Sequence, residues 1–435
     1  MSSPPEASTQ NSPVNMESGQ SRGGPTQPAN RVLWLKKTFR ILALASVTFG
    51  ILVWRRPDQL LHPYIWVEEG TVTLPAFLHH GWLSIFYPVA GYMVLPSKLI
   101  FATAASLSFS HLPELTYWLA AAFTFMVVAC VAYCPTYLRW PTVCAIAVLL
   151  IPTDAEVFAV SEYAFWWGTI LVLVSVLWLP TAKKTSLRVA LTALGGLSSP
   201  LIIPVTVLFL IRACVLRVKR EFVILGTAVV VVSTQVACLF LTHNISHKSK
   251  ILIDPLLLIE KFFGWFVFWS RHSHVGAWRG ELIGGVVLCV LAGALLWNRN
   301  KLDAGILLLA ACLAISIVAT LVRVPLDIIH PVLAGPRYFF LPYILLAWLL
   351  IQAFCVCGWP GRSVLGILLV FSIHQTVMYG QRFQDTFDWQ SEINACAAQT
   401  KPYNLPVQFD GSRASAWHVV LDGTQCKQLL SQSLF

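Results

Sequence analysis

Residues 304–321 read AGILLLAACLAISIVATL, eighteen positions without a charge. As a helix rising 1.5 Å per residue, the run covers about 27 Å, close to the roughly 30 Å hydrocarbon core of a bilayer. Such a run reads as a membrane-crossing helix. Comparable apolar runs occupy 42–54, 115–134, 143–151, 166–179, 187–197, 201–214, 222–241, 282–297, 338–356 and 364–378. The 435 residues are 57% hydrophobic and 11% charged, whereas soluble domains carry about 25% charge. The alternating ten-residue segments of an outer-membrane barrel are absent. The expected fold class is therefore an all-α polytopic membrane protein. About eleven transmembrane helices are expected, within bounds of about ten to thirteen.

The ambiguity lies in the early, weaker runs. Residues 97–109 are rich in Ala and Ser, and shorter than the roughly 20 residues a span needs. The preferred topology keeps this run at the outer face; the alternative lets it cross and makes 143–151 re-entrant. Later basic clusters set the parity. Lys183-Lys184-Arg188, Arg212-Arg217-Lys219-Arg220, Arg299-Lys301 and Arg362 are all expected on the cytoplasmic side. Arg55 and Arg56, on the outer side of the first span, violate that pattern locally. The formal net charge of +10 follows from these helix-end clusters. It does not form a basic stripe interleaved with aromatics, so no nucleic-acid partner is expected.

Three regions follow. Residues 1–35 form a cytoplasmic N-terminal tail; its first thirty positions are rich in Ser, Pro, Gln, Gly and Asn, a composition that resists folding. They do not have the pattern of a secretory signal. Residues 36–378 form the transmembrane domain, with a first outer loop at 55–114. Residues 379–435 form an extracytoplasmic segment with two short strands, over Tyr403–Phe409 and Trp417–Leu421. Most of the eleven Cys lie within apolar runs. Cys396 and Cys426 lie outside them and can pair in an oxidising compartment.

The first outer loop carries the chemistry. It contains His62-Pro63-Tyr64-Ile65-Trp66-Val67-Glu68-Glu69-Gly70 and ends at Pro96-Ser97-Lys98. Adjacent Glu68 and Glu69 point about 100° apart on a helix and to opposite faces on a strand. Either one enters a cavity while the other meets solvent, or both form a solvated rim. Glu156 and Glu162 sit just before the Trp166-Trp167 pair. Ionisable groups at membrane depth are paired or line a cavity; the bland reading is anchoring of a helix end. Arg337, beside Tyr338, suits a phosphate through its planar fork, or else anchors a helix at the interface. Leu197-Ser198-Ser199-Pro200 breaks an apolar run, as a cavity lining or as a tight hairpin. Arg271-His272-Ser273-His274 and His79-His80 are weak metal motifs, and no GxSxG, HExxH, Walker or GxGxxG signature occurs in a convincing context.

In order along the chain, these pieces resemble the GT-C superfamily of integral-membrane glycosyltransferases, in its poorly characterised bacterial branch. The resemblance is carried by Glu68-Glu69, Gly81-Trp82, Pro88-Val89-Ala90-Gly91-Tyr92, the Pro152…Glu156 segment before a Trp-containing helix, Ser198-Ser199-Pro200, and Arg337-Tyr338-Phe339-Phe340. It implies transfer of a sugar from a polyprenyl-phosphate-linked donor at the outer face of the bacterial inner membrane. The acceptor would be an envelope glycan, a lipid or a protein. It assigns Glu68 or Glu69 as general base, since the attacking hydroxyl must lose its proton. Arg337 or Lys98 would stabilise the leaving phosphate, with Glu156, Glu162 and Tyr338 as further substrate-binding residues. Many members carry Asp where this chain has Glu, one methylene longer. Some bind a divalent metal (Mg or Mn), for which this sequence offers no clear ligand set. The competing expectations are a transporter or flippase of lipid-linked sugars and a non-catalytic assembly subunit.

Overall fold

In the computed structural model, residues 27–242, 254–269, 278–384, 387–408 and 417–431 are described. The Arg271–His274 motif and most of the N-terminal tail lie outside them. The chain divides into two compact units, Met1–Ala43 and Leu44–Phe435. The described part of the first is helical.

Helices dominate the described residues, and the strands among them are two. Seven helices are long and apolar enough to cross a membrane: Leu35–Arg55, Leu112–Tyr133, Lys219–Leu241, Arg279–Trp297, Ala304–Arg323, Arg337–Val356 and Trp359–Tyr379. The protein is thus a helical, multi-pass membrane protein. Leu95–Leu107, Ala164–Val176 and Ile202–Leu216 are apolar but shorter. The 13 residues of Leu95–Leu107 rise only about 20 Å, less than a hydrocarbon core. Proline recurs in the first turn of helices, as at Pro96, Pro113 and Pro141, where its missing N–H costs nothing.

Burial sorts the helices. Arg337–Val356 is apolar on every side and 89% of its most apolar stretch is buried, against 17% for Arg279–Trp297. The first is a central post and the second leaves most of its surface for lipid. Ala164–Val176 is the other central helix, buried at all but one position. Trp348 donates its indole N–H to the Cys144 carbonyl at 2.9 Å, and Trp167 donates to the Val157 carbonyl at 2.8 Å. Each indole thereby satisfies its one polar atom inside the core.

The charges that looked anomalous at the end of the first span are internal. Arg55 and Arg56 are both 0% exposed. Arg55 donates to the carbonyls of Leu149, Ile151, Thr153 and Gly380 and stacks on Phe158. Arg56 pairs with Asp58 at 3.0 Å and donates to the carbonyls of Ala155 and Phe158. The two guanidiniums staple segment 149–158 to the end of the first span. They are structural cations and carry no information about membrane sidedness. Two of the basic residues used to set parity behave the same way: Arg188 and Arg212 share the buried Glu221 carboxylate, at 2.7 and 3.1 Å.

Gln235 holds the first loop against the Ser-Ser-Pro break. It accepts from the Met93 N–H at 2.9 Å and donates to the carbonyls of Met93 and Gly196. The break itself is a turn between Thr185–Gly196 and Ile202–Leu216. Ser198 bonds back to the Leu194 carbonyl, and Leu197 accepts from the Leu95 N–H.

The C-terminal part contains helix Trp389–Ala398, strand β1 (Tyr403–Gln408), strand β2 (Trp417–Leu421) and helix Gly423–Ser431. The strands pair antiparallel, Leu405 opposite Val419. Both lie where sequence analysis expects them. Cys396 and Cys426 form a disulfide between the two helices. This part shares an apolar core with Ile65, Leu74, Phe101, Phe109 and Leu112, apart from the main core of the membrane helices.

Candidate functional site

The loop after helix Leu35–Arg55 turns helical at Val67. Glu69 stands three residues after Trp66, and its Oε2 accepts the Trp66 N–H at 2.9 Å. This is half of a capping box: an acidic side chain in the first turn reaches back to an N–H that the helix leaves unpaired. The helix then widens into a π-turn over Glu69–Thr73, a rare geometry that recurs at functional sites. Glu69 is 2% exposed, while Glu68 is half-buried. One carboxylate of the pair is thus internal and its neighbour lies at the edge.

Glu162 closes the cluster from the other side. It is 4% exposed and feels the charges of Glu69, Glu68 and Lys98. Ser97 donates to its carbonyl at 2.6 Å, and the buried Lys98 ammonium donates to the Ser84 carbonyl at 3.0 Å. Burial pushes the Glu69 carboxyl up to about 8, opposed by the backbone amides of Trp66 and Glu162 and reinforced by Glu68. Burial, then Glu69 and Glu68, hold the Glu162 carboxyl well above the usual range. Removing the carboxylates from water outweighs the nearby donors, so both carboxyls favour the neutral form.

A second group adjoins it. Tyr163 donates to Glu156 Oε1 at 2.8 Å, and Arg337 donates to the Tyr163 hydroxyl at 2.7 Å and pairs with Glu156 directly. Gly335 makes this possible. Its φ of +64° suits glycine and aims the chain into helix Arg337–Val356, with Tyr338 N–H returning to the Gly335 carbonyl. Rings link the groups: Trp66 meets Tyr163 edge-on at 5.4 Å, and Trp166 meets Tyr338 at 6.1 Å. Arg323 lies over Tyr92, and Arg382 lies over Trp66 while pairing with Asp154 at 2.9 Å.

The structure therefore brings together all seven residues singled out in the sequence. Glu68, Glu69, Glu162 and Lys98 form one side; Glu156, Arg337 and Tyr338 form the other. Arg337 is committed to Glu156 rather than free at the surface. Sequence reasoning gave no role to Trp66, Tyr163, Trp166, Tyr92, Arg323 and Arg382. Their signal was the density of aromatic residues around the acidic positions. His79 and His80 are exposed, and His80 stacks on Tyr87 at 4.1 Å.

Several buried polar atoms here have no protein partner: Oε2 of Glu68, Oε1 of Glu69, Oε2 of Glu156, Oγ of Ser161 and the indole nitrogen of Trp166. Leaving such an atom unpaired costs about 1–3 kcal/mol. Their concentration in one place is therefore a cost that a polar ligand would offset. Among the described residues, no three His, Cys, Asp or Glu side chains converge on a single point as metal ligands. An open apolar groove of about 790 Å³ runs along Leu256, Leu282, Val286 and Val290, and includes none of the site residues.

No family model, curated protein or solved structure matches this chain.

Proposed function

We propose that this protein is an integral-membrane glycosyltransferase that moves a sugar from a polyprenyl-phosphate-linked donor to a glycan, lipid or protein acceptor at the outer face of a bacterial inner membrane. The observation that carries the reading is the Glu69 carboxylate. One of its oxygens is fixed by the Trp66 N–H; the other is buried and makes no full hydrogen bond, with the Glu162 backbone amide acting on the same carboxyl. A base oriented by one donor and open at its second oxygen is arranged to take a proton from a bound hydroxyl. A carboxyl at about 8 sits close to the pH at which a general base both ionises and accepts efficiently.

The surroundings suit a sugar. Carboxylate oxygens and an indole N–H supply acceptors and a donor for hydroxyls, and Trp66, Tyr163, Trp166 and Tyr338 supply flat apolar faces. In this mechanism Glu69 accepts the proton of the attacking hydroxyl as its oxygen bonds to the anomeric carbon. The bond from that carbon to the lipid phosphate breaks, and its electrons leave with the phosphate. The carboxyl oxygens of Glu68 and Glu162 add lone-pair density beside the sugar, which favours positive charge developing on its ring. Arg337, held by Glu156 and Tyr163, supplies the positive charge on the leaving-group side, while Lys98 lies on the Glu69 side of the site. In this reading the C-terminus lies in an oxidising compartment, and the Cys396–Cys426 disulfide supports that.

The test is purification into lipid nanodiscs and incubation with short-chain polyprenyl-phosphate sugars. Release of polyprenyl phosphate that is lost in Glu69→Gln supports the reading. Vectorial movement of the lipid-linked sugar without bond cleavage would replace it with a flippase.

A further inference from the structure

The turn that carries Glu69 does not stand by itself. Gly70 packs against β1 so closely that a Cβ there would lie 2.3 Å from Val407 Cγ1 and 2.7 Å from Val407 Cβ. Only a residue without a side chain allows that approach. Val407 is 3% exposed, and β2 also packs on the Glu69–Thr73 turn. Trp389 donates its indole N–H to the Phe109 carbonyl at 2.9 Å, which ties the cap to the end of the Leu95–Leu107 region. The disulfide, spanning 30 residues, locks helix Trp389–Ala398 to helix Gly423–Ser431 on either side of the strand pair.

We propose that this disulfide-tied C-terminal cap is a positioning element for Glu69: Val407, seated on Gly70, holds the π-turn against the core and keeps the Glu69 carboxyl out of water. A π-turn is an unfavourable stretch of backbone, and such geometry persists when the surroundings over-determine it. The cap supplies that constraint from a segment more than three hundred residues away in the chain. It also explains how a carboxyl in an outer loop becomes fully buried. Val407 and the disulfide touch no substrate in this account; they act through the backbone at Gly70. The functional importance of the positioning rests on Glu69 being the working carboxylate, but the positioning itself does not.

Dicyclohexylcarbodiimide, an apolar reagent that modifies protonated carboxyl groups, reads Glu69 directly. The full chain in detergent is treated across pH 5 to 10 (bounds set around the value of about 8), and modification at Glu69 is quantified by mass spectrometry. The oxidised protein is expected to lose labelling with a half-point near pH 8. Reduction with tris(carboxyethyl)phosphine, on the same sample, is expected to lower that half-point by about one pH unit or more as water reaches the carboxyl. Val407→Ala should do the same, and Gly70→Ala should disturb it by the opposite fault, overpacking. Lys427→Ala, exposed on the cap, should leave it unchanged. An unchanged half-point on reduction and in Val407→Ala overturns the proposal. Because sugar transfer plays no part in this measurement, a protein that transfers no sugar would defeat the reading of function and leave the labelling result standing.

Discussion

Arg337 and Glu156, 181 residues apart in sequence, are directly ion-paired, and the Tyr163 hydroxyl bonds to both. The Glu156 side chain is 6% exposed and that of Arg337 31%. One partner therefore depends on the other for its charge to be tolerated inside the protein. Arg337 is anchored before any substrate arrives, so it presents a fixed rather than a searching positive charge.

Truncating Arg337 should cost stability as well as activity. Leaving a buried carboxylate unpaired costs about 3–5 kcal/mol for a fully buried pair. Because Arg337 is about a third exposed, we expect about 2 kcal/mol, read as a lower unfolding midpoint in detergent. The double variant Arg337→Ala/Glu156→Gln should recover part of that loss. Additive losses would show that the two side chains do not depend on one another.

Glu69→Gln should lower transfer by about 10²- to 10⁴-fold, the usual contribution of a positioned acid or base, while the protein remains monodisperse. Glu68→Gln should cost less, since Glu68 is half-buried at the edge of the cluster whereas Glu69 is internal. Initial rates with a saturating lipid-linked donor check this. Full activity in Glu69→Gln would exclude it as the base.

Transfer should also depend on pH with a defined sign. The Glu69 carboxyl ionises at about 8, so the base-competent fraction rises with pH and levels off above that value. For stability the sign reverses. The folded state holds this proton up to about pH 8, whereas the unfolded chain releases it at about 4.3. The contribution is complete at low pH and is lost as pH climbs through this window. Unfolding midpoints across pH 4 to 9 (a range bracketing those two values), compared with Glu69→Gln, should show a shallower decline in the variant.

Glu221→Ala should be more damaging than its distance from the site suggests. The residue neutralises Arg188 and Arg212, at 2.7 and 3.1 Å. Losing it leaves two buried guanidiniums facing each other, with a cost of about 3–5 kcal/mol. Reduced yield of folded protein should reveal it, and Glu221→Gln should be milder because it retains hydrogen-bond acceptance.

A reporter fused after Phe435 should signal an extracytoplasmic C-terminus. A cytoplasmic signal would place the disulfide-bearing cap in a reducing compartment and overturn the orientation of the proposed site.

The helical membrane class was legible because a bilayer imposes one demand on every crossing segment: an apolar run long enough to span it, with its hydrogen bonds satisfied internally. Residues 304–321 met that demand on their own, as did the other long runs. The two short strands were also legible, from local alternation and bounding turn residues. Charge placement was less readable. Arg55, Arg56, Arg188 and Arg212 have the composition of helix-end flanks, and nothing local distinguishes a solvated guanidinium from one bonded to buried carbonyls or a buried carboxylate.

By itself, the sequence determined which residue types were available for chemistry, Glu68, Glu69, Glu156, Glu162, Lys98, Arg337 and Tyr338, and that they flank membrane helices. Only the tertiary structure decided that they meet, that Glu69 rather than Glu68 is buried, and that Arg337 is already paired. Burial pushes the Glu69 carboxyl up against the opposing pull of the Trp66 and Glu162 backbone amides. Desolvation depends on everything surrounding a group in space, and chain order does not encode it locally.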